Sequence, residues 1–451
     1  MGVPAHIRQD GRTFASWKGG SKMNLFPFQV QALETTANRN RVAYYMDMGL
    51  GKTFVGAEKM ARLGARVNLV ICQKSKVNDW LNHFISHYPA AVRVYNLTDK
   101  KSTALFWDEV DRTEVFPATR VAVINYELAW RRKELLKLNA FTLILDESSL
   151  IQNDTAKRTK FILDLNPLNV ILLSGTPTSG KYENLWTQIH LLGWDISKEL
   201  YNRQYVNWVT EIIDDRPVKM VDPENPYKYV DRLKDKLRQH GAFFMKTEEC
   251  FTLPEQNFIP VSIPTIPEYR RFRKRKLVTV EDGIELVGDS ILAERLYSRM
   301  LCGQYNPHKL EAFADLVQST NERLIVFYNF NEELTRLTAI ADDLKRPVSQ
   351  VNGAVKDLTA YEEADDSITF IQYQAGAMGL NLQKANRIVY FTLTDKSELY
   401  EQSKKRIHRI GQERPCFYYI LLCKNSVEEH ILETLDMRRD YTDELFKESE
   451  D

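Results

Sequence analysis

Cysteine is scarce in these 451 residues: Cys72, Cys250, Cys302, Cys416 and Cys423 are scattered, and no two form a C-x-x-C pair. An odd, dispersed set argues against a disulfide framework and a cysteine-based structural zinc. It points instead to a reducing compartment, with a bacterial or host-cell cytoplasm expected before a nucleus. Long apolar runs are missing too. Runs such as 170–173 fall far short of the roughly 18 residues that span a bilayer, so no membrane segment is expected. The first residues lack the charged, apolar and small-residue order of a signal peptide, and 1–23 read as a flexible leader.

Net charge is also absent, with 61 Lys and Arg against 61 Asp and Glu. Such balance at first counts against a nucleic-acid partner. It hides a split, however. Residues 1–250 carry 35 basic and 28 acidic side chains, whereas 251–451 carry 26 and 33. Residues 436–451 alone hold 3 basic and 7 acidic, which reads as a solvated acidic tail.

What is present is globular: 43% hydrophobic and 11% aromatic residues, in a chain long enough for two or three domains. Short apolar runs at 42–45, 67–72, 121–125, 141–145 and 170–173 alternate with amphipathic stretches. Strands separated by helices make a parallel sheet covered on both faces. The alternation fades after about residue 194 and returns at 324–328, 368–373, 387–391 and 417–422. The expected class is therefore α/β, two tandem parallel-sheet domains at 24–245 and 246–435. A helical insertion is expected near 195–245 and a helical protrusion near 265–307.

The densest chemical signal is Asp47-Met48-Gly49-Leu50-Gly51-Lys52-Thr53, between an apolar run and a helical stretch. A phosphate loop belongs at such a place, because glycine backbones let N–H groups face a β-phosphate beside a helix N-terminus. Lys52 is expected to reach the β- and γ-phosphates, and the Thr53 hydroxyl to ligate Mg²⁺. Met46 stands at the first glycine position of G-x-x-x-x-G-K-[ST], so alone the segment is a nucleotide site or a chance loop. Further on, Leu143-Ile144-Leu145 runs into Asp146 and Glu147. In phosphate-loop enzymes an acid there holds Mg²⁺, here Asp146, while Glu147 can activate water. Each signal is common singly; the ordered pair points to a nucleotide hydrolase.

Ser174-Gly175-Thr176-Pro177 follows the run 170–173. It is either a plain turn or part of the site, since ligands collect at the carboxyl ends of strands in open α/β sheets. Arg406 and Arg409 lie in a basic run with i, i+3 spacing, which on a helix gives one face. That face is either solvated or supplies arginines from a second domain to a γ-phosphate in transfer. Another basic run at 270–276, with Arg271, Arg273 and Lys274, is a solvated helix face or a contact to a phosphate backbone.

In this order the motifs resemble helicase superfamily two, and within it the Swi/Snf-type DNA-translocating ATPases. Leu25-Phe26-Pro27-Phe28-Gln29 is similar to the adenine-recognising Q motif, which implies Gln29 on the base. Asp47 to Thr53 resembles motif I, implying that Met48, Gly49, Leu50 and Gly51 join Lys52 and Thr53 around the nucleotide. Leu69 to Ser75, with Asp79-Trp80 after it, is similar to motif Ia and implies DNA contacts by Lys74 and Ser75. Asp146 to Ser149 stands where the family has a DEAH-type box, with Ser149 in place of the usual His. Residues 172–177 resemble motif III and 324–328 motif IV. Residues 374–382 are similar to motif V, which implies Gln374 on nucleic acid and Gly379 at the nucleotide. Arg406-Ile407-His408-Arg409-Ile410-Gly411-Gln412 resembles motif VI and its family-specific ending. Residues 353–354 lack the Thr that the family uses for a DNA contact, and no separation pin or winged helix is visible.

The resemblance implies two RecA-like domains, ATP and Mg²⁺ as cofactors, and DNA, double-stranded, as partner of a monomer. Lys52, Asp146, Glu147, Arg406 and Arg409 are the implied catalytic set. The implied activity is double-stranded-DNA translocation driven by ATP hydrolysis. A strand-separating DNA or RNA helicase and an ATP-gated displacement protein are the alternatives.

Overall fold

A computed structural model describes residues 24–89, 91–111, 119–213, 216–376 and 379–447. The expected leader 1–23 lies outside them. The first sheet is assembled from β1 (Arg41–Met46), β2 (Val67–Cys72), β3 (Val92–Asn96), β4 (Thr119–Asn125), β5 (Thr142–Asp146) and β6 (Asn169–Ser174). A hairpin of β7 (Trp208–Ile213) and β8 (Arg216–Val221) precedes β9 (Ala242–Met245), which returns to the sheet edge. The order is β3-β4-β2-β5-β6-β1-β9, and every pairing is parallel. Strands β1, β2, β4, β5 and β6 are buried over nearly their whole length, as helices on both faces require.

The chain passes to the second sheet between Met245 and Gln256. There β10 (Gln256–Ile263) precedes a small hairpin, β11 (Leu277–Thr279) with β12 (Glu285–Val287). Then come β13 (Leu324–Tyr328), β14 (Val348–Val351), β15 (Lys356–Asp357), β16 (Ile368–Gln372), β17 (Arg387–Tyr390) and β18 (Cys416–Cys423). The order is β10-β18-β17-β13-β16-β14-β15, parallel except for β15. Each sheet has two apolar layers, one on each face.

Three expectations are corrected. The 195–245 insertion is not simply helical: the hairpin β7–β8 stands between the helices Lys198–Tyr205 and Val230–Gln239. Its Ile212 is exposed. The 265–307 protrusion likewise holds β11–β12 between the helices Pro267–Arg275 and Ile291–Cys302. The acidic tail is the largest departure. Residues 436–446 continue the helix Val427–Phe446, which starts against the second sheet and ends in the core of the first domain. Leu445 and Phe446 are buried there, so an apolar end outweighs the acids in placing the segment. Its acids are paired: Lys234 Nζ donates to Glu444 at 2.9 Å, and Lys246 Nζ to Asp443 at 2.7 Å. The Tyr182 hydroxyl donates to the Tyr441 carbonyl at 2.7 Å. This helix straps one domain to the other; 448–451 lie outside the described residues.

In the second domain, Cys302, Cys423 and Glu428 converge on one buried point, a possible ligand triad. Lys309 already fills it, donating to both Glu428 oxygens at 2.5 and 2.7 Å. A cation is thus supplied by the chain itself.

Candidate active site

β1 runs straight into the phosphate loop, and the helix Lys52–Leu63 leaves it. Gly49 (φ +87°) and Gly51 (φ +72°) both adopt the left-handed conformation, which is why glycine stands at these two places. Leu50 between them is buried and anchors the loop. Lys52 Nζ donates to the carbonyls of Met46 at 2.8 Å and Asp47 at 3.2 Å. Gln29 is buried against this loop. Its Nε2 donates to the Leu50 carbonyl at 3.0 Å and its Oε1 accepts from Phe26 N at 3.0 Å. The structure therefore gives Gln29 a loop-bracing part, with Phe26 exposed beside it and stacked on Phe28.

Asp146 ends β5, and its Oδ2 accepts a bond from the buried Trp80 indole at 2.9 Å. Glu147 has φ +54°, an uncommon backbone for a glutamate, and its carboxylate lies 3.5 Å from Ser174 Oγ. Burial holds the Asp146 carboxyl above its ordinary range. Burial likewise pushes Glu147 up to about 7; Lys52 opposes the shift, and Asp146 and Glu398 add to it. Two adjacent half-buried carboxyls, with the Thr53 hydroxyl in the same cleft, are hard oxygen donors that fit a divalent cation.

Arginines close the cleft from the second domain. The expected helix face is not how they are held: the helix Ser397–Lys404 ends first, and Arg406 and Arg409 sit in the following turn. Gly411 (φ +93°) and Gln412 shape that turn, the Gln412 amide donating to the carbonyls of Gln383, Ala385 and Ile407. Both arginines point one Nη1 at the Leu380 carbonyl, 3.5 Å away, and Arg409 also bonds the Asn381 side chain. Arg406 is 6% exposed, and its Nε has no hydrogen-bond partner among the described residues. Burial, with Arg409 beside it, lowers its pKa to about 10, partly offset by Glu147 across the gap. Arg409 Nη2 stands 4.0 Å from where a side chain on Gly49 would begin. A cavity of about 330 Å³ opens between Lys52, Thr53, Glu147, Gly379, Arg406 and Arg409.

Met48 and Gly49 line the same cleft. Sequence reasoning missed several of its parts. Lys76 reaches into it, paired with Asp79 at 2.9 Å. Gln188 receives the Ser148 hydroxyl at 2.7 Å and the Tyr45 hydroxyl at 3.1 Å, and donates to the Pro177 carbonyl at 2.7 Å. It thereby ties the acidic strand end, β1 and the 174–177 turn into one unit. Ser149, standing at the His position, donates to Glu398 of the second domain at 3.4 Å. A buried glutamine on the short, mostly buried helix Trp186–Leu191 carries no local sequence signature of such a role.

The residues expected on nucleic acid are not gathered at one place. Lys74 and Ser75 are exposed on the turn Lys74–Lys76 after β2, and Gln374 is exposed after β16. Arg271, Arg273 and Lys274 lie on the helix Pro267–Arg275, whose Tyr269 and Phe272 enter the layer on one face of the second sheet. The arginine turn packs Ile407 into the opposite layer. Arg271 pairs with Glu268 at 3.2 Å and Arg273 with Glu294 at 2.8 Å, as a solvated helix face does.

Comparison with known proteins agrees with this layout. The SNF2-related domain family matches residues 43–254, and the helicase conserved C-terminal domain family matches 308–411. The chain is 23% identical over 441 residues to the mouse (Mus musculus) SWI/SNF-related matrix-associated actin-dependent regulator of chromatin subfamily A member 1, covering 87% of this chain and 40% of that protein. It is also 23% identical over 441 residues to the uncharacterized ATP-dependent helicase YqhH of Bacillus subtilis, covering 86% and 73%. A solved structure, the Sulfolobus solfataricus SWI2/SNF2 ATPase core in complex with dsDNA, is 18% identical with a TM-score of 0.43, covering 95% of this chain and 94% of that one. The chain thus spans about 40% of the length of the chromatin relatives it matches.

Proposed function

We propose, from the premise that this chain is a Swi/Snf-type member of helicase superfamily two, that it hydrolyses ATP in the cleft and uses the cycle to move along double-stranded DNA. One observation carries this: Arg406 and Arg409 of the second domain face Lys52, Asp146 and Glu147 of the first across a single cavity. Neither domain holds a complete site. Hydrolysis therefore depends on closure, and closure is the movement that can be coupled to stepping.

In this reading the loop N–H groups and Lys52 bind the β- and γ-phosphates. Thr53 and Asp146 would hold Mg²⁺, which would supply charge neutralisation to the phosphates. Glu147 orients the attacking water and takes its proton, a task suited to a carboxyl held near pH 7. Arg406 and Arg409 stabilise the charge on the transferring phosphoryl group. Duplex backbone is gripped by exposed groups beside the strand ends of both domains, Lys74 and Ser75 in one and Gln374 in the other. Arg271, Arg273 and Lys274 belong to a more distant contact.

ATP turnover measured with duplex DNA, single-stranded DNA and RNA tests the proposal. Duplex is expected to stimulate most; equal rates with all three sink the translocase. Unwinding of a forked substrate would favour the strand-separating alternative.

A further inference from the structure

The turn that carries the arginines has two faces. Arg406 and Arg409 look into the cleft; Lys405, at the rim of the same cleft, and His408 are each offset from them by one residue and bond the first domain and its connector. Lys405 Nζ donates to Asp47 Oδ2 at 3.1 Å and to Glu248 Oε1 at 3.3 Å. A ring nitrogen of His408, Nε2, lies 2.9 Å from the Pro254 carbonyl. Asp47 is no bystander. It opens the phosphate loop, its own carbonyl accepts from Lys52, and its carboxylate also accepts from the Thr247 N–H and hydroxyl, each at 3.1 Å. One aspartate thus holds the phosphate lysine through its backbone and the arginine turn through its side chain.

We propose that Lys405 is a positioning residue for ATP hydrolysis: docked on Asp47, it sets how far Arg406 reaches toward the phosphate loop. The inference rests on the ATPase reading above. The pair spans the two domains, so opening the cleft breaks it, and Arg406 is placed only while it is made. Side chains 17% exposed at both ends put the pair mostly out of water. Such a pair gains little net stability over an apolar contact, because both charges lose hydration. What it offers is one fixed geometry. Its lysine is the immediate neighbour of the arginine whose geometry matters most, and a misplacement of about 1 Å near reacting atoms can cost about 100-fold in rate.

The test is a double-mutant cycle on DNA-stimulated ATP turnover in the full chain, with Lys405→Met, Arg406→Ala and both. Lys405→Met is expected to lower kcat by about 10- to 100-fold while KM for ATP stays within about twofold, since the Lys405 ammonium is already held by Asp47 and Glu248. In the Arg406→Ala background the same change is expected to do almost nothing, because the group it positions is gone. Lys405→Arg, which keeps a cation in reach of Asp47, is expected to recover most of kcat. Asp47→Asn, which keeps the acceptor for Thr247, is expected to repeat the Lys405→Met effect. Full additivity of Lys405→Met with Arg406→Ala overturns the positioning role. So does a rise in KM with kcat unchanged, or an equal loss in Lys405→Arg. Thermal melting of each variant separates loss of fold from loss of placement. A wild-type chain with no ATP turnover on any nucleic acid overturns the ATPase reading, and this inference with it; an additive cycle overturns this inference alone.

Discussion

In front of the phosphate loop, Lys52, Asp146, Glu147, Arg406 and Arg409 share one cavity, yet bind backbone carbonyls, an indole, a hydroxyl and an amide rather than one another. At the rim of that cavity Lys405 pairs with Asp47, and away from it Lys246 pairs with Asp443 and Lys234 with Glu444. The same residue types are arranged on opposite plans. Buried charges left without counter-charge cost stability and keep their partners' places open for a substrate. Paired charges fix a geometry. The difference separates the part of the molecule that reacts from the part that holds the two domains in register.

The sharpest way to break this comparison is Glu147→Gln. Turnover is expected to fall by about a thousandfold with ATP binding retained, checked by single-turnover hydrolysis beside nucleotide titration. Wild-type turnover would move Glu147 out of the reacting set. On the paired side, Phe446→Ala removes the apolar end of the strap, where the ring meets Phe244 at 5.3 Å. A loss of about 3 kcal/mol by denaturant unfolding is expected; a surface-like change of under about 0.5 kcal/mol would make the strap ornamental.

Glu147 also sharpens the contrast through pH. As the base it must be ionised, so kcat/KM is expected to fall as pH drops through about 7. Its effect on stability runs the other way. With the folded-state pKa raised from 4.5 to about 7, the folded state binds more protons than the unfolded one across that window, and stability declines as pH rises through it. Glu147→Gln is therefore expected to melt higher than the wild type at pH 8, by about 2–4 °C for each 1 kcal/mol relieved. A lower melting temperature would mean that the carboxylate is satisfied by the fold. The smallest effect belongs to Lys234→Met. The buried lysine leaves behind one exposed acid, Asp231, and one half-buried acid, Glu444, so a loss of about 1 kcal/mol is expected, shrinking with salt.

The unpaired side was far more legible in the sequence than the paired side. Asp146 and Glu147 fall at the end of a buried strand, where an apolar run stops abruptly at polar residues, and Lys52 opens the helix that follows β1 and its glycine loop. The central strands were visible for the same reason. The edge strands β3 and β10 are not: β3 buries only Val92 and Tyr95 and β10 only Ile263, and β10 contains Pro260, tolerated because an edge leaves ladder groups unused. The hairpins β7–β8 and β11–β12 were lost among charged helical neighbours. The strap reads as a solvated tail because seven acids in 436–451 outnumber the two apolar residues that decide where it goes. Arg406 and Arg409 converge as i, i+3 spacing predicts, though a turn stapled by Gln412 holds them rather than a helix. Interdomain pairs such as Lys405 with Asp47 lie too far apart in sequence for any local pattern to reveal.

Arg406→Ala tests the central claim most directly, that the second domain completes the site of the first. With ATP turnover and nucleotide affinity measured on the same preparation in the presence of duplex DNA, turnover is expected to drop by about a thousandfold while affinity changes only a few-fold. Turnover within about threefold of the wild type, in a variant that melts normally, would mean that hydrolysis needs nothing from across the cleft.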